Sequence, residues 1–251
     1  MNALTDGCAI VTGAGGGLGR ALALALAPHM QVAGLGRRMA ALEETEALAG
    51  GNFLPLMADV TDVAEVAQAF DTARNIAPIT VLINNAAIYP RRDFLDESAA
   101  SFMETVGINL GGVVTCTRAA LSDMTATGFG RILNVATFAD LHPLPASSAY
   151  SVSKGAARIF TRALIADIGD RFPGIVVNDW MPGMLATEMG IADGLEPAVA
   201  AKWGAKLALW HDPSLTGTTW EMGAEIPPAR SMKRRIADRV LMRPRAVPRQ
   251  L

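Results

Sequence analysis

Tyr150 and Lys154 stand four residues apart in the run Ala149-Tyr150-Ser151-Val152-Ser153-Lys154. If this stretch is helical, both side chains project from one face. A free phenol has a pKa of about 10, so it moves protons near neutrality only where a neighbouring cation stabilises the phenolate. Lys154 is placed to be that cation. The same spacing also suits a half-buried aromatic beside a solvated lysine, and the rest of the chain has to decide between these readings. Near the start, Cys8-Ala9-Ile10-Val11-Thr12 reads as a buried strand that runs into Gly13-Ala14-Gly15-Gly16-Gly17-Leu18-Gly19 and then into a helical run from Arg20 to Ala27, closed by Pro28. Glycines at such a turn let the backbone bend tightly and approach a pyrophosphate, whose charge rests on the amide groups at the helix N-terminus. A glycine-rich turn without a ligand remains the alternative.

The elements that must position these residues alternate along the chain. Strands are expected at 8–12, 31–35, 53–57, 79–84, 131–136, 174–180 and 217–222, with helices at 18–27, 39–49, 62–74, 98–106, 109–126 and 149–170. Alternation of this kind implies an α/β fold, a doubly wound parallel sheet of about seven strands with helices on both faces. The glycine turn, Asn84, Thr137 and the start of the helix at 149 then all fall at the carboxyl ends of strands, where such sheets bind ligands. At 251 residues and 51% hydrophobic content the chain can bury one large core. A single domain is expected over 1–228, followed by a tail at 229–251.

Taken together, these residues resemble the short-chain dehydrogenase/reductase family in its compact single-domain form, over roughly residues 5–225. Thr12, Gly13, Gly17 and Gly19 match the family's Thr-Gly-x-x-x-Gly-x-Gly loop, and Asn84-Asn85-Ala86-Ala87 is similar to its Asn-Asn-Ala-Gly element. The resemblance implies a dinucleotide held by Gly13, Gly15, Gly17, Leu18 and Gly19, by Asp59 and Val60 near the adenine, and by Asn85. It also implies that Pro182, Gly183 and Thr187 close over the nicotinamide, and that Tyr150 and Lys154 form the catalytic pair, with Lys154 also holding the nicotinamide ribose. Asn109 would extend a proton relay. The family places a serine thirteen residues before the tyrosine, where this chain has Thr137. Threonine keeps the hydroxyl donor while its methyl stiffens χ1 and narrows the space beside it. Ser147 and Ser148 are nearer in sequence, but their expected role is to cap the helix.

Cofactor preference should be legible where the second strand ends, at Leu35-Gly36-Arg37-Arg38. A carboxylate there would bind a ribose 2′-hydroxyl and repel a 2′-phosphate, whereas arginine favours the phosphate. Arg37, with Arg38 as a second ligand, resembles the NADP-preferring pattern; NAD remains the alternative, as do solvated arginines. Candidate substrate liners are Tyr89, Arg91, Arg92, Phe138, Asp140, His142, Met184, Met189 and Trp203, a mixture that specifies no molecule. The expected activity is interconversion of a carbonyl and an alcohol by hydride transfer. A nucleotide-sensing protein with little turnover, and a non-redox lyase or epimerase on the same fold, are the other readings.

Composition narrows the partners. No apolar run approaches the ~20 residues that span a bilayer, and the N-terminus lacks a secretory pattern, so a cytoplasmic protein is expected. Cys8 and Cys116 lie far apart, and neither they nor the three histidines have metal-ligand spacing. The 229–251 tail carries +7 and the rest of the chain −9. Met232, Ile236 and Val240 suggest a short amphipathic helix in it, while Pro244 and Pro248 argue for an extended end. Aromatic platforms and a wide basic face are missing, so no nucleic-acid partner is expected, and the tail reads as a docking arm. The resemblance further implies a homodimer or homotetramer built on the helices at 109–126 and 149–170.

Overall fold

Along strand β1, Cys8–Thr12, side chains alternate between two hydrophobic clusters: Ala9 and Val11 enter one, Cys8 and Ile10 the other, and all four are fully buried. A strand buried on both faces has no polar alternation, which is why it reads as a continuous apolar run. The computed structural model describes residues 4–227 and 247–251. Its strands continue as β2 Gln31–Gly36, β3 Phe53–Met57, β4 Ile79–Asn84, β5 Gly130–Val135, β6 Ile175–Met181, β7 Thr219–Glu221 and β8 Ala224–Ile226. They form one sheet in the order β3-β2-β1-β4-β5-β6-β7-β8, parallel throughout except for the antiparallel β7–β8 pair.

The helices are α1 Gly17–Leu26, α2 Met39–Ala49, α3 Val63–Arg74, α4 Ala99–Val106, α5 Gly112–Thr127, α6 Ser148–Ile168 and α7 Pro197–Leu209. Leu18, Leu22 and Leu26 of α1 pack with Ala201, Ala205 and Leu207 of α7 on one sheet face. Val66 and Phe70 of α3, Cys116 and Met124 of α5, and Leu164 and Ile168 of α6 fill the other. The strand order reverses between β1 and β4, so the two halves of the sheet part at that point and leave a crevice above their carboxyl ends.

Three elements depart from the expectation. α7 was absent from it, although Pro197 at the first helical position is a start signal. It is pinned by Arg131, a fully buried residue whose Nε and Nη2 donate to Leu207 O at 3.3 and 3.1 Å, close to the negative end of the helix. Burial alone pushes that guanidinium down to about 9. Second, α4 and α5 are joined without a break by a π-helical turn, Gly107–Gly111, rather than separated before 109. Third, the sheet gains β8, a three-residue return strand on β7. The amphipathic helix expected around Met232, Ile236 and Val240 lies outside the described residues. Beyond it, Gln250 bridges Ala224, Leu251 packs against the first core cluster, and Arg249 pairs with Glu225 at 2.7 Å.

Candidate active site

A cleft of about 490 Å³ opens above the crevice, lined by Gly13, Gly15 and Gly16 from the first turn, Gly36, Arg37 and Arg38 after β2, Asp59 and Val60 after β3, and Ala86–Ile88 after β4. Its glycines are required by space and by backbone angle. A Cβ on Gly19 would collide with Gly13 O and the Asn85 amide, and Gly13 itself holds φ +71°. Gly16 faces nothing within 4 Å, so the backbone there is open to a ligand. A cleft of this volume, lined by glycine backbone and by two guanidiniums, fits a dinucleotide.

The residues singled out in the sequence divide by what their side chains do. Leu18 is turned into the core, which leaves only its backbone to face the cleft. Asn85 uses its side-chain amide on Thr12 O at 2.9 Å while Thr12 Oγ1 accepts from Asn85 N and Ala86 N, so this pair braces the turn from behind. Gly17 approaches Thr187, whose methyl would lie 3.3 Å from a Cβ there, and Gly183 holds φ +89° beside Met222. Thr187 is thereby brought to the glycine turn, while Pro182 and Gly183 follow directly on β6. Arg37 is mostly exposed and lies 4.0 Å from Asp59, an arrangement that exerts little hold on either side chain. Burial raises the Asp59 carboxyl, but its Thr61 hydrogen bonds and Arg37 together leave it below the usual range.

Tyr150 and Lys154 occupy the first two turns of α6, as their spacing requires. Burial raises the Tyr150 phenol above its ordinary pKa, and a side-chain hydrogen bond from Thr137 opposes that shift. Lys154 is buried, and its Nζ donates to Val135 O at 2.9 Å. Burial pushes its ammonium down to about 8, while the carboxylate of Asp179 pulls it up. Thr137 is the group that lowers the phenol's pKa against burial, and the phenol stays protonated at neutral pH. Neither Ser147 nor Ser148 caps α6 with its side chain; Ser147 turns to Leu144 O and Ser151, and the Ser148 hydroxyl is buried without a partner.

Asn109 is fully buried inside the π-helical turn, where its amide accepts from Ile88 N at 2.8 Å and donates to Ile88 O and to Ser153 Oγ. Its side chain is therefore spent on anchoring the segment after β4, and a proton relay would have to use backbone. Tyr89, on that segment, stacks on Tyr150 with ring centroids 4.4 Å apart, and Arg91 lies over the Tyr89 ring. Arg91 also reaches across to Met189 O and Gly190 O, joining the two lips of the entrance. Among the other candidate liners, Arg92 pairs with Glu97, Asp140 pairs with Arg158 at 2.6 Å, and Trp203 packs beneath the β7–β8 turn beside Gly223. Trp203 is thus a packing residue. His142 and Met184 are exposed.

Asp179 was not singled out in the sequence, since a lone acid inside a strand offers no spacing signal. Both cysteines are free and buried, with thiols pushed up to about 12 by burial. No cluster of metal-ligating side chains occurs among the described residues, and no helix there is long and apolar enough to cross a membrane.

A doubly wound sheet with a glycine-lined cleft at its switch point is the frame of a dinucleotide-binding enzyme. Residues 7–196 match the model of the short chain dehydrogenase family. Galactitol 2-dehydrogenase (L-tagatose-forming) of Cereibacter sphaeroides is 34% identical over 205 residues, 80% of each chain. The 3-oxoacyl-[acyl-carrier-protein] reductase of Synechocystis sp. is 32% identical over 195 residues, 75% of this chain and 78% of that one. A crystal structure provisionally described as a betaketoacyl-ACP reductase superimposes with a TM-score of 0.75 at 28% identity, covering 87% of this chain and 97% of its own. The chain belongs to the short-chain dehydrogenase/reductase family, whose members are NAD(P)-dependent oxidoreductases of carbonyls and alcohols.

Proposed function

We propose that the chain reduces a carbonyl compound to an alcohol with NADPH, or runs the reverse reaction, as a cytoplasmic homo-oligomer. The observation that carries this reading is the glycine-lined cleft at the switch point of the sheet, together with Tyr150 and the buried Lys154 one turn apart at the start of α6, where Thr137 lowers the phenol's pKa. When bound, a nicotinamide supplies or takes the hydride at the substrate carbon. Tyr150, protonated at neutral pH, gives its proton to the substrate oxygen as negative charge develops there. Thr137 donates a hydrogen bond to that oxygen, stabilising the charge before the proton arrives. Lys154 places a cation beneath the ribose end of the cleft, as the family resemblance implies.

Arg37 and Arg38, with no carboxylate at the end of β2, support NADP over NAD. The 4.0 Å approach of Arg37 to Asp59 is loose enough for a 2′-phosphate to displace it. For assembly, Val114 on α5 and Val152 and Ile159 on α6 are exposed apolar side chains that a second copy would cover. The names of the relatives suggest two substrate types to try, a sugar ketone such as L-tagatose and a 3-oxoacyl thioester. Following loss of reduced-cofactor absorbance with both, and with a panel of simple ketones and aldehydes, tests the reading. Turnover with at least one carbonyl and NADPH is expected; binding of NADPH without turnover on any of them would favour a nucleotide-sensing protein.

A further inference from the structure

Tyr89 lies face to face on Tyr150, with ring centroids 4.4 Å apart and planes inclined by 23°, and the chain has no other tyrosine. Anchors on either side hold it there. Ile88, the residue before it, donates its N–H to Asn109 Oδ1 at 2.8 Å, and its carbonyl accepts from Asn109 Nδ2 at 2.9 Å. Asn109 is fully buried, so Ile88 is tied to the interior rather than to the surface. Pro90 follows and confines Tyr89 to extended backbone. Arg91 then bends the chain at φ +50°, a left-handed angle that a residue with a Cβ holds only where its surroundings enforce it. The contacts that do so are hydrogen bonds from Arg91 Nη2 to Met189 O at 3.0 Å and to Gly190 O at 2.5 Å.

The far lip is itself braced. Gly190 N donates to Thr187 O at 2.9 Å, Ile191 N to Leu185 O at 3.0 Å and Leu195 N to Met184 O at 2.8 Å, which closes residues 184–195 into a loop folded on itself. The guanidinium carbon of Arg91 sits 5.2 Å from the centre of the Tyr89 ring, so the side chain that crosses the entrance also lies over that ring. A second left-handed residue with a Cβ, Ala146 at φ +57°, stands just before α6. Ala146, Tyr89, Arg91 and Tyr150 line one gap of about 140 Å³, which leaves no room for a water molecule. Strained backbone on both sides of so narrow a space marks a shape that the fold enforces.

We infer that Tyr89 is a specificity-determining residue: its ring closes one face of Tyr150 and limits the smaller substituent on the carbonyl carbon to about the size of a methyl group. The substrate class is then an aldehyde, or a ketone with one short arm, and Tyr89 sets no limit on the other arm. The inference rests on the proposed role of Tyr150 as proton donor. Tyr89 transfers no proton in it. It excludes volume, and Arg91 and Ile88 hold it in place to do so.

The test pairs methyl ketones with isomers of the same formula whose carbonyl lies further along the chain, so that the short arm is lengthened at constant composition. With NADPH, wild type should favour the methyl ketone in kcat/KM by about 10², and Tyr89→Ala should cut that preference about tenfold or more by raising the rate on the internal ketone. Tyr89→Phe keeps the ring and should keep the preference. Arg91→Ala, which removes the strap, should relax it in the same direction by less. A Tyr89→Ala variant with the wild-type preference would overturn the assignment, as would a wild type that takes both isomers equally. A second readout needs no turnover. With 3-fluorotyrosine incorporated, the two tyrosines of the wild type give fluorine signals, and Tyr89→Ala should leave only that of Tyr150, shifted by loss of the stacked ring. An unshifted Tyr150 signal would remove the contact on which the inference stands. Turnover of no carbonyl by either protein would count against the functional reading alone, because the fluorine signal does not depend on it.

Discussion

Thr137 is where this chain makes its own choice at the residue scale. Its side chain lowers the pKa of the Tyr150 phenol, so Thr137→Ser should keep kcat within a few-fold, whereas Thr137→Ala would leave the developing oxyanion one donor short. Losing such a donor costs about 2–4 kcal/mol, or roughly 10² to 10³ in kcat. Steady-state rates of the two variants check this, and an alanine variant as active as wild type would hand the role to another donor. Arg37→Ala should erase most of a preference for NADPH of about one to two powers of ten, measured by titrating both reduced cofactors. Since Arg37 is 62% exposed, that preference should also shrink as salt rises. Residue types were legible in the sequence, but residue orientations were not. That Leu18 faces the core, that Asn85 ties the turn to Thr12 and that Asn109 is consumed by Ile88 and Ser153 depend on where β1, β4 and the π-helical turn meet.

Elements with a strong period or punctuation could be read directly. β1, the glycine turn and α1 were legible because an apolar run, glycines and Pro28 mark them, and α6 because its apolar and small residues recur at helical spacing. α7 was not, since its run of alanines interrupted by Gly204 lacks amphipathic contrast; Gly204 is there because a side chain would collide with Trp180 and Leu22. The π-helical turn has no sequence signal at all, as the extra residue is accommodated by the fit of Asn109 against Ile88. Gly19→Ala tests the tightness of the first turn. The added methyl meets Gly13 O, which is backbone and cannot rotate away, so dinucleotide binding should fall at least tenfold and the melting temperature should drop. Fluorescence titration together with a thermal melt reads both effects.

For the whole molecule, the order β3-β2-β1-β4-β5-β6 brings residues from four separate loops to one crevice, which is why so scattered a set of candidates converged. The carboxyl end contributes to the same body. Arg249 pairs with Glu225 through two nitrogens, and Leu251 packs on the core near Gly223. Removing 247–251 should lower the melting temperature by about 3–6 °C, an effect that diminishes as pH falls through the carboxylate range, because the pair holds Glu225 below its usual pKa. Light scattering should show a dimer or tetramer, and a charge at Val152 or Ile159 should shift it toward monomer. The most direct test of the account is a comparison of wild type with Tyr150→Phe under saturating NADPH and a carbonyl substrate. The variant keeps the stacked ring and loses only the transferable proton, so kcat should fall by roughly 10² or more while NADPH affinity stays within about two-fold; a variant that keeps most of its turnover would contradict the central claim that Tyr150 is the acid and base of this site.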